Sequence, residues 1–342
     1  MNAAIRPFSL PLSDPLETAR GRIERREGFL LRVESEDETV GVGEAAPLPG
    51  WTEHYDECEL ALANAAETIE RGDDAEAVLE NLDGLPAARH ALDLALADLR
   101  ASRAGDPLYR HFGAASRVES VPVNATVGDA DIEKTVEAAE RAADAGFDCL
   151  KLKVGARPLS ADIERVEAVA DAVDADLRAD ANAAWSRQQA QQFLDAVGDR
   201  LAYVEQPLPA TDIAGLAALS GTIAIDETVA EVGFEDALDA NPDAVVLKPM
   251  ALGGPRRAVE IAEEARDEGI VPVVTTTIDG AVARTAAVHV AAAIPDIPAC
   301  GLATAKLLDS DLGPDIAPVA DGRAVVPQGN GNGTADTWGY HA

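Results

Sequence analysis

Lysine is almost missing from this chain of 342 residues, which has five in all: Lys134, Lys151, Lys153, Lys248 and Lys306. Basic charge as a whole is short, with 28 Lys and Arg against 61 Asp and Glu, a net charge of −33. That balance excludes nucleic acid and anionic lipid as partners, since both repel such a surface. The excess is spread along the chain rather than collected in a tail. Abundant Asp and Glu, retained Arg and scarce Lys suit a protein adapted to high salt, where screening shortens to about 3 Å near 1 M. Aromatic residues make up only 4%. The three cysteines, Cys58, Cys149 and Cys300, are far apart and lack metal-ligand spacing. Cys149 and Cys300 stand in apolar strand-like segments and read as small buried hydrophobes. No apolar run is long enough to span a membrane, so no membrane association is expected. The segment from Met1 to Pro7 lacks the apolar core of a secretory signal, which predicts a cytoplasmic protein. No feature specifies an oligomeric state.

What is present falls into two textures. Up to about residue 115, strands at Phe8–Leu10, Gly28–Glu34 and Val40–Ala45 precede two helices. The first helix runs from Glu53 to about Arg71, capped by Thr52, with Leu60, Leu62 and Ala65 on its apolar face. The second runs from about Pro86 to Arg103. Strands followed by helices predict an α+β domain. From Val121 strand segments recur at 121–127, 149–154, 177–182, 203–206, 223–227, 244–248, 272–277 and 298–302. Helical stretches at 132–145, 161–174, 186–197, 254–268 and 281–293 separate most of them. This is the rhythm of β/α units, and eight strands in so short a span favour a closed barrel. The expected class is therefore α/β: a modified TIM barrel of (β/α)7β type over residues 116–312, with an N-terminal α+β capping domain over residues 1–115. The Gly-, Pro- and Asn-rich tail, about 313–342, is expected to cross back to that domain.

Side chains at the C-terminal ends of barrel strands converge on one mouth. Lys151 and Lys153 end the second strand segment, and their spacing puts both on one side. Asp180, Glu205 and Asp226 end the third, fourth and fifth, and Lys248 ends the sixth. Two like charges 4 Å apart cost about 4 kcal/mol at an effective dielectric near 20. A divalent cation removes that cost. An all-oxygen set suits Mg2+, with Mn2+ as a substitute. The amines cannot ligate such an ion while protonated and are placed to move protons or stabilise developing charge. Lys153, beside Lys151 and near a cation, is expected to have the lowered pKa of a general base. Asn182 should face the same mouth. Glu227 should point away, unless a bulge at the strand end brings it in.

The motifs Lys151-Leu-Lys153, Asp180-Ala-Asn182, Glu205-Gln-Pro207, Asp226-Glu227 and Lys248-Pro249 resemble those of the enolase superfamily, muconate-lactonising subgroup. Gly43-Glu-Ala-Ala-Pro-Leu-Pro resembles the capping-domain signature of the same family. Mandelate-racemase-like members use a histidine from the seventh strand, where this chain has Thr275-Thr-Thr277; His289 lies mid-helix. Dipeptide epimerases carry an Asp-x-Asp pair at the eighth strand, where this chain has Pro298-Ala-Cys-Gly-Leu-Ala-Thr304, and Asp309-Ser-Asp311 falls about ten residues late. The C-terminal half is most similar to the o-succinylbenzoate synthases. That resemblance implies a Mg2+-dependent syn dehydration of a small anionic cyclohexadiene carboxylate in menaquinone biosynthesis. It implies Lys153 as acid–base residue, Lys151 as its tuner, Lys248 as opposing cation, and Asp180, Glu205 and Asp226 as metal ligands. It also places Thr275 and the Gly301 N–H at a substrate carboxylate, and Arg20 and Arg22 on a capping loop from Ser13 to Arg22. N-succinylamino acid racemisation needs the same two lysines and is the nearest alternative within the family, followed by another muconate-lactonising-subgroup activity such as dipeptide epimerisation or muconate cycloisomerisation.

Overall fold

The computed structural model describes residues 1–18 and 21–340. The chain opens with a three-stranded antiparallel sheet, β1 (Asn2–Thr18), β2 (Gly21–Glu34) and β3 (Val40–Ala45). Leu16 to Thr18 pair with Gly21 to Ile23 in the β1–β2 ladder, so these residues of the expected capping loop are strand. Arg22 stands on β2, 3.1 Å from Glu24, while Arg20 lies outside the described residues.

Three helices follow: α1 (Tyr55–Glu70), α2 (Ala75–Glu80) and α3 (Pro86–Ala104). The expected Thr52 cap is not used. The Thr52 hydroxyl accepts from Leu48 N at 2.8 Å, and α1 starts later, where Glu57 closes back on His54 N at 3.0 Å. Leu60 also departs from expectation: it is 64% exposed, and the buried stripe is Cys58, Leu62, Ala65, Ala66 and Ile69. One residue of phase in an Ala-rich helix separates the two readings. α3 is apolar almost all round because it is sandwiched between the sheet and the barrel. Gly41 and Gly43 let it approach: a Cβ on Gly43 would stand 1.8 Å from Ala91 O.

The second half carries a seven-stranded parallel sheet. Its strands are β5 (Ala125–Val127), β6 (Cys149–Lys153), β7 (Asp176–Asp180), β8 (Tyr203–Glu205), β9 (Ile223–Ile225), β10 (Ala244–Leu247) and β11 (Val271–Val274), in sequential order. Helices on the outer face cover runs such as Ala244–Leu247, buried on both sides. The eighth strand segment is reduced to isolated pairings, with Cys300 N donating to Pro122 O and Gly301 N to Val274 O, both at 2.9 Å. These two residues join the first and last edges of the sheet. The first segment also divides: β4 (Ser120–Pro122) leaves the barrel to pair with the tail strand β13 (Arg323–Val325), which pairs in turn with β12 (Val319–Ala320). Beyond them, Arg6 Nη1 donates to Tyr340 O at 2.6 Å, and Asn332 N donates to Asp98 Oδ1 at 2.7 Å.

Glu44, inside the Gly43-Glu-Ala motif, ties the sheet to the barrel. It is wholly buried and accepts from Gly280 N at 2.7 Å and Ala283 N at 2.8 Å, at the start of the helix Ala281–Ala293. Burial and the nearby Asp279 carboxylate outweigh those bonds and push Glu44 up to about 8. A carboxyl raised from 4.5 to about 8 on folding holds its proton in the folded state across that interval and not in the unfolded one. Its contribution to stability is therefore greatest at the acid end and falls as pH rises towards 8. Chemical denaturation across that window is expected to show this slope in the native protein. Glu44→Gln should be less stable throughout, having lost one acceptor, but with the slope flattened.

Candidate active site

The register places the charges at one level. Lys153 pairs across the sheet with Asp180, and Asp180 with Glu205. Lys151 Nζ lies 3.0 Å from both Asp180 Oδ2 and Glu205 Oε1, and Lys153 Nζ lies 2.7 Å from Asp180 Oδ2 and from Asn182 Oδ1. Lys248 Nζ pairs with Asp226 on the other flank. Asp180, Glu205 and Asp226 are all buried. Lys151, Lys153, Asp180, Asn182 and Glu205 thus form one bonded network, with the Lys248–Asp226 pair on its flank.

Electrostatics separate their roles. Burial alone would lower the Lys151 amine, but Asp180 and Glu205 reverse this and hold it well above its usual range. Asp180 is held low by Lys151 and Lys153 in spite of its burial. Burial pushes both Glu205 and Asp226 up, the former also repelled by Asp180. Three buried all-oxygen groups of this kind fit a hard divalent cation, whose charge would favour their ionised forms. As placed, the ammonium groups bridge the carboxylates, and among the described residues no three ligand side chains gather as a metal cluster.

Two tight turns set the mouth. Asn182, Ala183 and Gln206 have φ of 44°, 62° and 38°, left-handed values uncommon outside glycine. Ala183 N donates to Gln206 O at 2.7 Å and locks the turns together. Asn182 faces the mouth as expected, and its Nδ2 donates to Glu227 Oε1 at 3.1 Å. Glu227 is brought in because β9 ends at Ile225 and a helix begins at Glu227. Thr275 and Gly301 also meet there, but they satisfy each other: the Thr275 hydroxyl donates to Gly301 O at 2.9 Å, while the Gly301 N–H is used by Val274 O. As placed, neither has a donor left for a substrate carboxylate.

Other candidates take structural roles. His289 is fully buried, accepts from Tyr109 N at 3.3 Å, and is pushed down to about 3 by burial, which keeps it neutral. Asp311 accepts from Ala281 N at 2.7 Å and pairs with Arg284 at 2.7 Å. Lys134 pairs with Asp131 on an exposed helix. Lys306 lends its carbonyl to the Ser13 hydroxyl. All three cysteines are buried and free, with Cys300 pushed up to about 12 by burial.

Sequence reasoning missed two residues. Gln206 accepts from Asp226 N at 2.9 Å and Thr228 N at 3.1 Å, and so carries the turn after Glu205 to the next strand-end carboxylate. Its signal was the Glu-Gln-Pro motif itself. Trp51, from the loop after β3, lays its ring 4.0 Å from Lys248 Nζ. Only the rarity of tryptophan could have drawn attention to it.

The family profile described as "Enolase C-terminal domain-like" matches residues 134–335, and that of "MenC, N-terminal domain" matches residues 1–99. The hydrophobic dipeptide epimerase of Enterococcus faecalis is 31% identical over 93% of this chain and 92% of its own length. The structure of a dipeptide epimerase from Enterococcus faecalis, complexed with Mg and the dipeptide L-Leu-L-Tyr, superimposes with a TM-score of 0.85 at 27% identity, covering 97% of this chain and 98% of that one. The L-Ala-D/L-Glu epimerase of Bacillus subtilis gives a TM-score of 0.88 at 27% identity, over 97% and 98% of the two chains. An o-succinylbenzoate synthase of Thermobifida fusca is 40% identical over 61% of this chain and 67% of its own length. With its N-terminal antiparallel sheet, curled parallel sheet and strand-end charges, the chain belongs to the enolase superfamily, with muconate-lactonising-type enzymes among its relatives.

Proposed function

We propose that the protein is an o-succinylbenzoate synthase, a hydro-lyase that removes water from 2-succinyl-6-hydroxy-2,4-cyclohexadiene-1-carboxylate. The observation that carries this reading is the eighth-strand segment. Residues 298–304 contain no carboxylate to hold a substrate amine, and Asp311 is committed to Arg284 and the Ala281 N–H. The Thermobifida synthase and the MenC-type N-terminal match support it.

Asp180, Glu205 and Asp226 would hold Mg2+, with Mn2+ as a substitute; the bound ion supplies electrophilic stabilisation of a substrate carboxylate as negative charge develops. Lys153 is the base that takes the ring proton α to that carboxylate. Once protonated, it returns a proton to the departing hydroxide on the same face, so water leaves and the ring becomes aromatic. Lys151, fixed between Asp180 and Glu205, holds positive charge beside Lys153. Lys248 faces the ring from the other side as a fixed cation, seated on Trp51 and Asp226. Thr275 reaches the succinyl carboxylate only if its hydroxyl turns from Gly301 O.

A second reading, epimerisation of dipeptides or racemisation of N-succinylamino acids, is favoured by the full-length similarity to the epimerases. Both readings are tested by one parallel assay in Mg2+ at high salt, on the cyclohexadiene acid, N-succinylphenylalanine and L-Ala-L-Glu. Diene absorbance should disappear with the first substrate at the highest kcat/KM. Turnover confined to the other two would refute the synthase assignment.

A further inference from the structure

Directly beneath the charged mouth the barrel buries a guanidinium that the proposed reaction does not use. Arg178 stands on β7 in register with Lys151 on β6 and Tyr203 on β8. It is 5% exposed, yet no carboxylate lies within ion-pair distance of it among the described residues. Glu205, a carboxylate whose charge bears on Arg178, is bonded instead to Lys151. One guanidinium nitrogen, Nη1, donates to Ala299 O at 2.6 Å, and the guanidinium carbon lies 4.9 Å from the Tyr203 ring centroid.

The remaining polar atoms are poorly served. Arg178 Nε and Tyr203 Oη are buried and find no hydrogen-bond partner among the described residues. So is Asn124 Nδ2, whose own backbone N–H is tied to Cys300 O at 2.9 Å, next to the Arg178 acceptor on Ala299. Tyr203 and Asn124 are 5% and 3% exposed. An unpaired buried cation and unmet buried donors each cost free energy. Donors outnumber acceptors in the group: Nε and Nδ2 only donate, and the phenol both donates and accepts. A water molecule satisfied there must also find acceptors for its two hydrogens, whereas an anion needs only donors and also offsets the guanidinium charge.

We propose that the floor of the barrel binds one monovalent anion of the halide class between Arg178 and Tyr203, with Asn124 as a further donor. The bound halide is a structural counterion to Arg178, below the reacting groups and separate from substrate.

Crystals grown in bromide should show a single anomalous peak within hydrogen-bond range of Arg178 Nε and Tyr203 Oη. In solution at constant ionic strength, exchanging gluconate for chloride should raise the thermal midpoint along a saturating curve. Tyr203→Phe keeps the ring and removes the donor, and should require about tenfold more chloride for the same shift. Arg178→Met, if it folds, should lose the chloride dependence altogether; if it does not, Tyr203→Phe carries the test. Density without an anomalous signal, identical melting in chloride and gluconate, or an unchanged chloride curve for Tyr203→Phe would each overturn the proposal.

Discussion

Lys153→Ala is expected to lower kcat for the proposed dehydration by about 10³- to 10⁴-fold, at the upper end for one acid–base group because in the proposed reaction it serves both halves. The fold should survive. Lys153 is 36% exposed, and its removal leaves Asp180 paired with Lys151 at 3.0 Å. Asn182 loses one partner but keeps Glu227. Lys153→Arg is the sharper variant, since it preserves the positive charge but cannot release a proton near neutral pH. Both variants should fail alike in steady-state assays and in exchange of the substrate α-proton with D2O, while circular dichroism and the thermal midpoint stay near the native values. Retained turnover in either would remove Lys153 from the role of base, and activity in the Arg variant alone would make its charge the functional property.

The features most legible in the sequence were those where burial makes a residue expensive. A lysine or carboxylate at the end of an apolar strand stands out because nothing but chemistry or pairing compensates its desolvation. Lys151, Asp180, Glu205, Asp226 and Lys248 were found that way, and the β/α rhythm supplied the strand order. The eighth strand was less legible as structure. Residues 298–302 have a strand's composition but make only the pairings that close the barrel, because short flanking edges offer few partners. The Thr275–Gly301 contact was invisible for a related reason: which acceptor a hydroxyl chooses depends on backbone positions 26 residues apart. Glu44 was visible as a letter in a motif, but not as the cap of a helix that begins at residue 281. Arg178 was passed over because it sits two residues before Asp180, and alternation along β7 puts both on the interior face at different depths.

Lys248 divides the two readings of the site, since dehydration asks it only for charge and racemisation asks it to give up a proton. Its ammonium is fixed between Asp226 and the Trp51 ring at 4.0 Å. Lys248→Ala should lower dehydration by about 10²- to 10³-fold, the effect of losing one fixed group that stabilises developing charge. In the metal-free protein it also leaves the buried Asp226 without its partner, which costs on the order of 3–5 kcal/mol of stability. Lys248→Arg restores a permanent cation that can stack on indole and pair with a carboxylate. In the synthase reading it should recover part of the lost rate and most of the lost stability. In the racemase reading it should recover stability alone. One enantiomer of N-succinylphenylalanine would then still exchange its α-proton through Lys153, while the other, whose proton faces Lys248, would be inert. Measuring aromatisation, enantiomer-resolved exchange in D2O and thermal midpoint on the same two variants separates charge, proton transfer and folding. An Arg variant as stable as native protein, yet as slow as the Ala variant on the cyclohexadiene acid, would show that Lys248 works by releasing a proton, and the role of fixed cation would be lost.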